Sequence, residues 1–429
     1  MQRFKTSFLL LALALVSVYA SGQAARSPFS SLGFGDYYGD AFVNNQGMGG
    51  AGVANPQFWH LNNMNPALLG YNQRTVFQAG IVGENKQLAS ATEKGSSRNA
   101  NLNFLALGFP VMRKKSTGEI AWASALGLAP YSYVNYDFQY SGVVNGLDVI
   151  YVDKAKGGFS QFYWSNGVRL FKNFNVGLKT AVLFSSVLSD YSNVLSDPAQ
   201  LDARYMLTVR EVQSIQGVKF TPGVFYRIDS IAKKFSLNIG ATYEVKSGLT
   251  SNLEQVLERK DFSSGAILQS DTLLNQSNSV QFPERLTLGF SFGRTDRWML
   301  ATDYTIIKPS SSTAIFGMDK APVQNGWKAA FGFELTPDVR SLSSYLKRVT
   351  YRTGASLEHG TYLLNGNVVK DIGINFGLSF PVNRFSNLDV AFRTGKRGDK
   401  SLNGIEEKYF KVYFGVTFND QWFIKRKFD

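Results

Sequence analysis

The stretch Lys408–Phe418, KYFKVYFGVTF, decides the fold. Phe410, Val412, Phe414, Val416 and Phe418 alternate with Tyr409, Lys411, Tyr413, Gly415 and Thr417. Successive side chains of a strand point to opposite faces, so period two separates an apolar face from a mixed one. The same pattern recurs upstream. Leu388, Val390 and Phe392 oppose Asp389, Ala391 and Arg393, and Ile372, Ile374, Phe376 and Leu378 oppose Gly373, Asn375, Gly377 and Ser379. Val349, Tyr351, Ala355 and Leu357 oppose Arg348, Arg352, Ser356 and Glu358. Trp327, Phe331 and Phe333 oppose Lys328, Gly332 and Glu334. Further segments fall at 298–306, 285–292, 235–245, 218–228 and 174–184, and four less regular ones at 159–170, 119–129, 101–109 and 74–82. The total is about 14, each near the length a transmembrane β-strand needs, and bacterial barrels take even numbers.

The connections test this reading. After odd-numbered strands they are long, as at Gly83–Ala100, Pro130–Gly158, Tyr191–Val212 and Ser247–Ser279. After even-numbered strands most are short, as at Lys172-Asn173, Thr295-Asp296 and Asn383–Ser386. Short periplasmic turns alternating with long external loops follow the outer-membrane barrel rule. That rule places both mature termini in the periplasm.

The N-terminus fits export. Arg3 and Lys5 precede an apolar run, Phe8–Tyr19, too short for a membrane-spanning helix. Small residues then offer cleavage after Ala20 or Ala24, so residues 1–20 read as a secretory signal peptide. The sequence has 40 Gly, 34 Phe and 20 Tyr and no Cys, which excludes disulfide and thiolate-metal chemistry. A net charge of +13 raises nucleic acid as a partner. No block of five or six like charges occurs, and export excludes the cytoplasm, so nucleic acid is set aside. Arg113-Lys114-Lys115 and Lys425-Arg426-Lys427 fit contact with lipid phosphates or plain solvation.

Ser27–Asn72 is rich in turn formers yet also aromatic. Gly47, Gly49, Gly50 and Gly52 cluster there, followed by Asn65, Pro66 and Ala67. Irregular backbone at membrane depth is tolerated only inside protein or a wet cavity, which predicts a compact plug in the lumen. The expected organisation is therefore a signal peptide at 1–20 and a plug at 21–72. A transmembrane antiparallel β-barrel follows at 73–419, with a periplasmic tail at 420–429, in the cell outer membrane.

Few motifs carry chemistry. Gly47-x-Gly49-x-x-Gly52 matches the dinucleotide fingerprint by letter, but no strand precedes it and no helix follows. His60 and His359 are the only histidines, and neither has a nucleophile or an orienting group in evident company. The chain is expected to be no enzyme and to need no cofactor or metal. On the inward face Lys328, Arg348, Arg352 and Arg393 fall on neighbouring strands, with Asp303, Glu334, Glu358 and Asp389 nearby. They fit a binding site for a ligand head group or anion, or a network pairing wall to plug. Gly127 and Pro130 close the third strand, where a missing N–H interrupts pairing. That fits a gap in the wall, or simply a strand that ends.

The glycine cluster with Asn65-Pro66-Ala67-Leu68 resembles the hatch of FadL-type outer-membrane transporters. Phe282-Pro283-Glu284-Arg285, then Leu288-Gly289, Trp298 and Asp303-Tyr304, is similar to that family's central barrel. Tyr413–Phe418 with Trp422–Lys427 resembles an uncharacterised Bacteroidota branch of it. The resemblance implies a fourteen-stranded barrel with an N-terminal hatch. It implies passive uptake of small hydrophobic compounds, fatty-acid-like or aromatic, with lateral exit at a wall kink for which Gly127 and Pro130 are candidates. A FadL-like relative also serves as a shuttle subunit in type IX secretion. The alternative is thus a non-transporting subunit of an outer-membrane secretion or assembly complex. Expected partners are outer-membrane lipid and lipopolysaccharide, a small hydrophobic ligand, and a complex partner under the alternative.

Overall fold

The computed structural model describes residues 25–144, 146–195, 205–231, 234–261, 263–309, 322–383 and 386–420. The signal segment, its cleavage points and the Lys425-Arg426-Lys427 run lie outside them. A two-residue strand, β1 (Asp36–Tyr37), belongs to the N-terminal segment. The wall begins with β2 (Thr75–Ser90), β3 (Lys94–Arg113), β4 (Ile120–Val144), β5 (Leu147–Arg169), β6 (Phe174–Leu195), β7 (Tyr205–Ile231) and β8 (Phe235–Glu244). A hairpin follows, β9 (Gly248–Asp261) and β10 (Ile267–Gln281). The wall resumes with β11 (Glu284–Arg294), β12 (Trp298–Lys308), β13 (Gly326–Leu335) and β14 (Thr350–Leu364). It ends with β15 (Asn367–Pro381), β16 (Ser386–Asp399) and β17 (Ile405–Asp420).

Neighbouring strands pair antiparallel, and β17 closes on β2 from Ile405↔Ser90 to Asp420↔Thr75. With β9 and β10 projecting, β8 pairs directly with β11, giving a closed barrel of 14 strands. Closing the ring of strands is what spanning a membrane with strands requires. Alternation sorts the faces. Phe162, Trp164, Phe290, Phe331, Phe376 and Phe414 are exposed on the outside, an apolar band suited to lipid. Charged and amide side chains such as Lys86, Lys179, Glu334 and Asn375 are buried inside.

All fourteen wall segments expected from periodicity correspond to wall strands, but the expected loops do not hold. Most of Gly83–Ala100, Pro130–Gly158, Tyr191–Val212 and Ser247–Ser279 is strand. β7 alone has 27 residues, far more than the roughly 9–11 needed to span a bilayer. Beyond the apolar band both faces of a strand can be polar, as in Lys94–Asn99, so the alternation disappears. The ladder persists because it needs only the backbones of neighbouring strands. Pro130 likewise does not end its strand. β4 runs on to Val144, with a register shift against β5 between Pro130 and Ser132. Gly127 sits in regular pairing, opposite Ala106 on one side and Tyr163 on the other.

Candidate functional site: the plugged lumen

Residues 25–72 fill the lumen through short turns. Asn65 caps a 3-10 turn, Pro66–Tyr71, accepting from the Ala67 amide at 3.0 Å with Pro66 in the first turn. Asn caps orphan amides and Pro tolerates the first helical position, so Asn-Pro-Ala encodes this turn directly. The Asn65 side-chain amide also donates to the Val53 carbonyl (2.9 Å) and to Val224 of the wall (3.0 Å). The glycines serve close approach. A Cβ on Gly47 would stand 2.9 Å from the Cα of Gly377 in β15. Gly49 has a φ of +72°, and a Cβ on Gly354 of β14 would meet its amide nitrogen at 2.3 Å.

The fingerprint-like turn holds an anion of the protein itself. Asp303 of β12 accepts from the Gly52 amide (2.7 Å) and the Val53 amide (3.0 Å). Exposed amides in a glycine turn suit negative charge, and a wall carboxylate supplies it. Further charges rivet the plug. Lys179 reaches Asp40 at 2.8 Å, and Gln161 donates to the same carboxylate at 3.1 Å. Gln57 donates to Glu334 (2.9 Å), which also holds Arg352 (2.7 Å). Asp36 takes Lys86 (3.1 Å) and Arg397 (2.7 Å). Lys86 also faces Glu84 and Glu407, while Arg397 and Arg393 share Asp371 at 3.2 Å each. Buried charges persist only when paired and hydrogen-bonded, and here plug and wall supply each other's partners.

Between plug and wall lies a cavity of about 240 Å³, lined among others by Asp40, Glu244, Arg285, Lys328, Glu358 and Arg393. Of the four expected ligand cations, Lys328 and Arg393 line it. Lys328 has a long ion pair with Glu358, 3.9 Å. Arg352 lies outside it, in the plug–wall seam. Arg348 corrects the expectation. It sits in an exposed 3-10 turn, Leu346–Arg348, ahead of β14, with its guanidinium over Tyr345. The alternation had carried it onto the strand, but the strand begins at Thr350. Arg285 of β11 also faces this cavity. It stacks 3.4 Å over Tyr37 and makes no ion pair among the described residues, because Glu244 opposite it is taken by Lys219 at 3.0 Å. His359 faces outward, stacked on Trp327.

The wall also parts. The β3–β4 ladder stops at Leu105↔Leu128, after which β3 follows β2 and β4 follows β5. The plug takes the freed edge of β4. Asp36 and Tyr37 pair with Tyr133 and Ser132, Tyr38 donates to the Tyr131 carbonyl (3.0 Å), and Ser27 donates to Asn135 (2.9 Å). Arg26 bridges the parting, its amide on Ser97 of β3 and its guanidinium on Asp137 of β4.

A closed barrel, an apolar outer band, a lumen plug and a parted third wall strand form a recognisable set. The BamG family model matches residues 4–429. The chain belongs to the BamG family. No curated protein matches this BamG-family sequence. Among solved structures, the fold is similar to a Pseudomonas aeruginosa FadL homologue, at 12% identity and TM-score 0.55, covering 88% of this chain and 98% of that one. It is similar to the Ralstonia pickettii toluene transporter TbuX, at 15% identity and TM-score 0.54, covering 89% and 98%. CymD, a monoaromatic hydrocarbon channel, matches at 13% identity and TM-score 0.52, covering 88% and 97%. The BamG-family chain thus has the FadL-type barrel fold of outer-membrane hydrophobic-compound channels.

Proposed function

We propose that this protein works as a closed, plugged barrel within an outer-membrane complex rather than as an open conduit. One observation carries the reading. Plug and wall neutralise each other's buried charges, and in the space left over charged groups stand among the aromatic and aliphatic side chains that line it. An apolar solute crossing it would break ion pairs and strip their hydration without replacing either. Membership of the BamG family supports association with an outer-membrane complex. The projecting β9–β10 hairpin offers a place for it, since nearly every β10 residue is exposed. On this reading residues 1–20 are a cleaved signal, 21–72 the plug, 73–419 the barrel and 420–429 a tail, with both mature termini periplasmic.

The test is mild-detergent purification of the tagged full chain from its own membrane. A discrete larger assembly of fixed stoichiometry is expected, lost when residues 248–281 are replaced by a short turn while the barrel stays folded. A chain that runs alone would overturn the reading. One observation favours a second reading, passive uptake of small hydrophobic compounds with lateral exit. The β3–β4 parting is an opening in the ladder that such an exit could use, and the proteins similar in fold include a toluene transporter and a monoaromatic hydrocarbon channel. Toluene or fatty-acid uptake that falls on deletion of the gene and returns with the wild-type chain would establish it.

A further inference from the structure

Gly157 and Gly158 of β5 have φ of +141° and +142°, a backbone that L side chains rarely adopt. A Cβ on Gly157 would lie 2.2 Å from the Ser186 carbonyl oxygen of β6. A Cβ on Gly158 would lie 2.4 Å from the Ser132 carbonyl oxygen of β4. The two glycines pinch β5 between its neighbours at the level where β4 shifts register. The outer face is dented there by a notch of about 420 Å³. Alternation identifies the side chains that face it from outside: Tyr133, Asn135, Lys156, Ser160, Ser186 and Leu188.

The notch has a definite depth. On the same strands and face, Phe162, Trp164, Val182 and Phe184 follow directly and are about half exposed, in the lipid-facing band. On the other side, Lys154 pairs with Asp137 at 3.5 Å, both on the outer face. The notch therefore sits where the outer surface changes from apolar to charged, the headgroup level of a bilayer. Its lining is hydroxyl, amide and one ammonium, beside the Tyr133 ring and the Leu188 side chain. Lys156 is exposed and, unlike Lys154, makes no ion pair among the described residues.

We propose that this notch seats the phosphorylated headgroup of a membrane lipid. Lys156 meets the phosphate, and the acyl chains lie on Phe162, Trp164, Val182 and Phe184. Continuity with the apolar band selects a lipid, because an occupant of the notch has its remaining bulk against that band. The ammonium selects an anionic headgroup, and Lys binds phosphate as a compact point charge. Ser160, Ser186 and Asn135 suit phosphate or sugar oxygens. The notch lies on the outside of the wall, so the proposal stands apart from what the lumen does.

The test places the full-length mature protein in phosphatidylcholine nanodiscs doped with bis-phosphorylated lipid A. Native mass spectrometry, after extraction into mild detergent, counts retained lipid. Lys156→Gln is expected to cut lipid A retention about fivefold. Ser186→Phe, whose ring fills the notch from outside, is expected to abolish it without disturbing the lumen. Lys408→Gln, exposed on β17 away from the notch, is expected to change nothing. Equal retention by Lys156→Gln and wild type would overturn the proposal, as would an equal loss in Lys408→Gln. Full displacement of the lipid by inorganic phosphate would reassign the notch to a soluble anion and overturn it too.

Discussion

Neighbouring turns of the N-terminal segment meet different surroundings: Asp36 and Tyr38 meet charge toward β2 and β16, whereas Phe34 meets rings and aliphatic side chains toward β4–β7 and the β9–β10 hairpin, a side on which Lys179 with Asp40 is the charged contact. On the first side Asp36 is held by Lys86 and Arg397, and Tyr38 donates to Glu84. On the second, Phe34 enters a buried cluster with Tyr131, Phe159, Leu183 and Ile215, its ring 4.4 Å from that of Phe282. The two seams constrain differently. An apolar cluster tolerates repacking as long as volume is kept. Buried ions must be matched partner by partner, or a bare charge remains. The charged seam therefore fixes where the plug sits, and the aromatic seam supplies adhesion.

The largest break should come from the charged seam. Lys86→Ala leaves Asp36, Glu84 and Glu407 without the ammonium they share. It is expected to lower stability by about 3–5 kcal/mol in urea unfolding from lipid vesicles. Phe34→Ala attacks the other seam and should cost about 3 kcal/mol in the same assay. Phe34→Leu keeps most of the volume and should recover much of that, whereas Lys86→Met should not spare the carboxylates. Asp303→Asn keeps the shape of the glycine-turn anchor but removes its charge. A loss of about 2 kcal/mol is expected, with faster hydrogen exchange at the Gly52 and Val53 amides. Arg348→Ala, outside both seams, should stay within about 0.5 kcal/mol of wild type.

The wall was legible because its apolar outer face imposes period two on residues such as Phe410–Phe418. That signal fades above the lipid, which is why the extensions of β4–β7 read as loops. The glycine cluster and Asn65-Pro66 also carried their meaning locally, through close approach and capping. The charged site was legible only in part. Alternation puts Lys328, Arg352, Arg393 and Arg285 on the inner face, but it cannot say who pairs with whom. The contact of Asp36 with Lys86 joins a plug turn to a wall strand, and the idle Arg285 follows from Lys219 claiming Glu244 across the sheet. Arg348 misled because alternation carries no marker for the residue where a strand starts.

The most direct test of a sealed, plugged barrel is conductance. Wild-type protein in a planar bilayer should show no stable current steps, whereas a variant lacking residues 25–72 should open a steady pore. Buried ion pairs are poorly screened, so the silence should hold at high salt. Wild-type steps as large as those of the plugless variant would contradict the closed lumen.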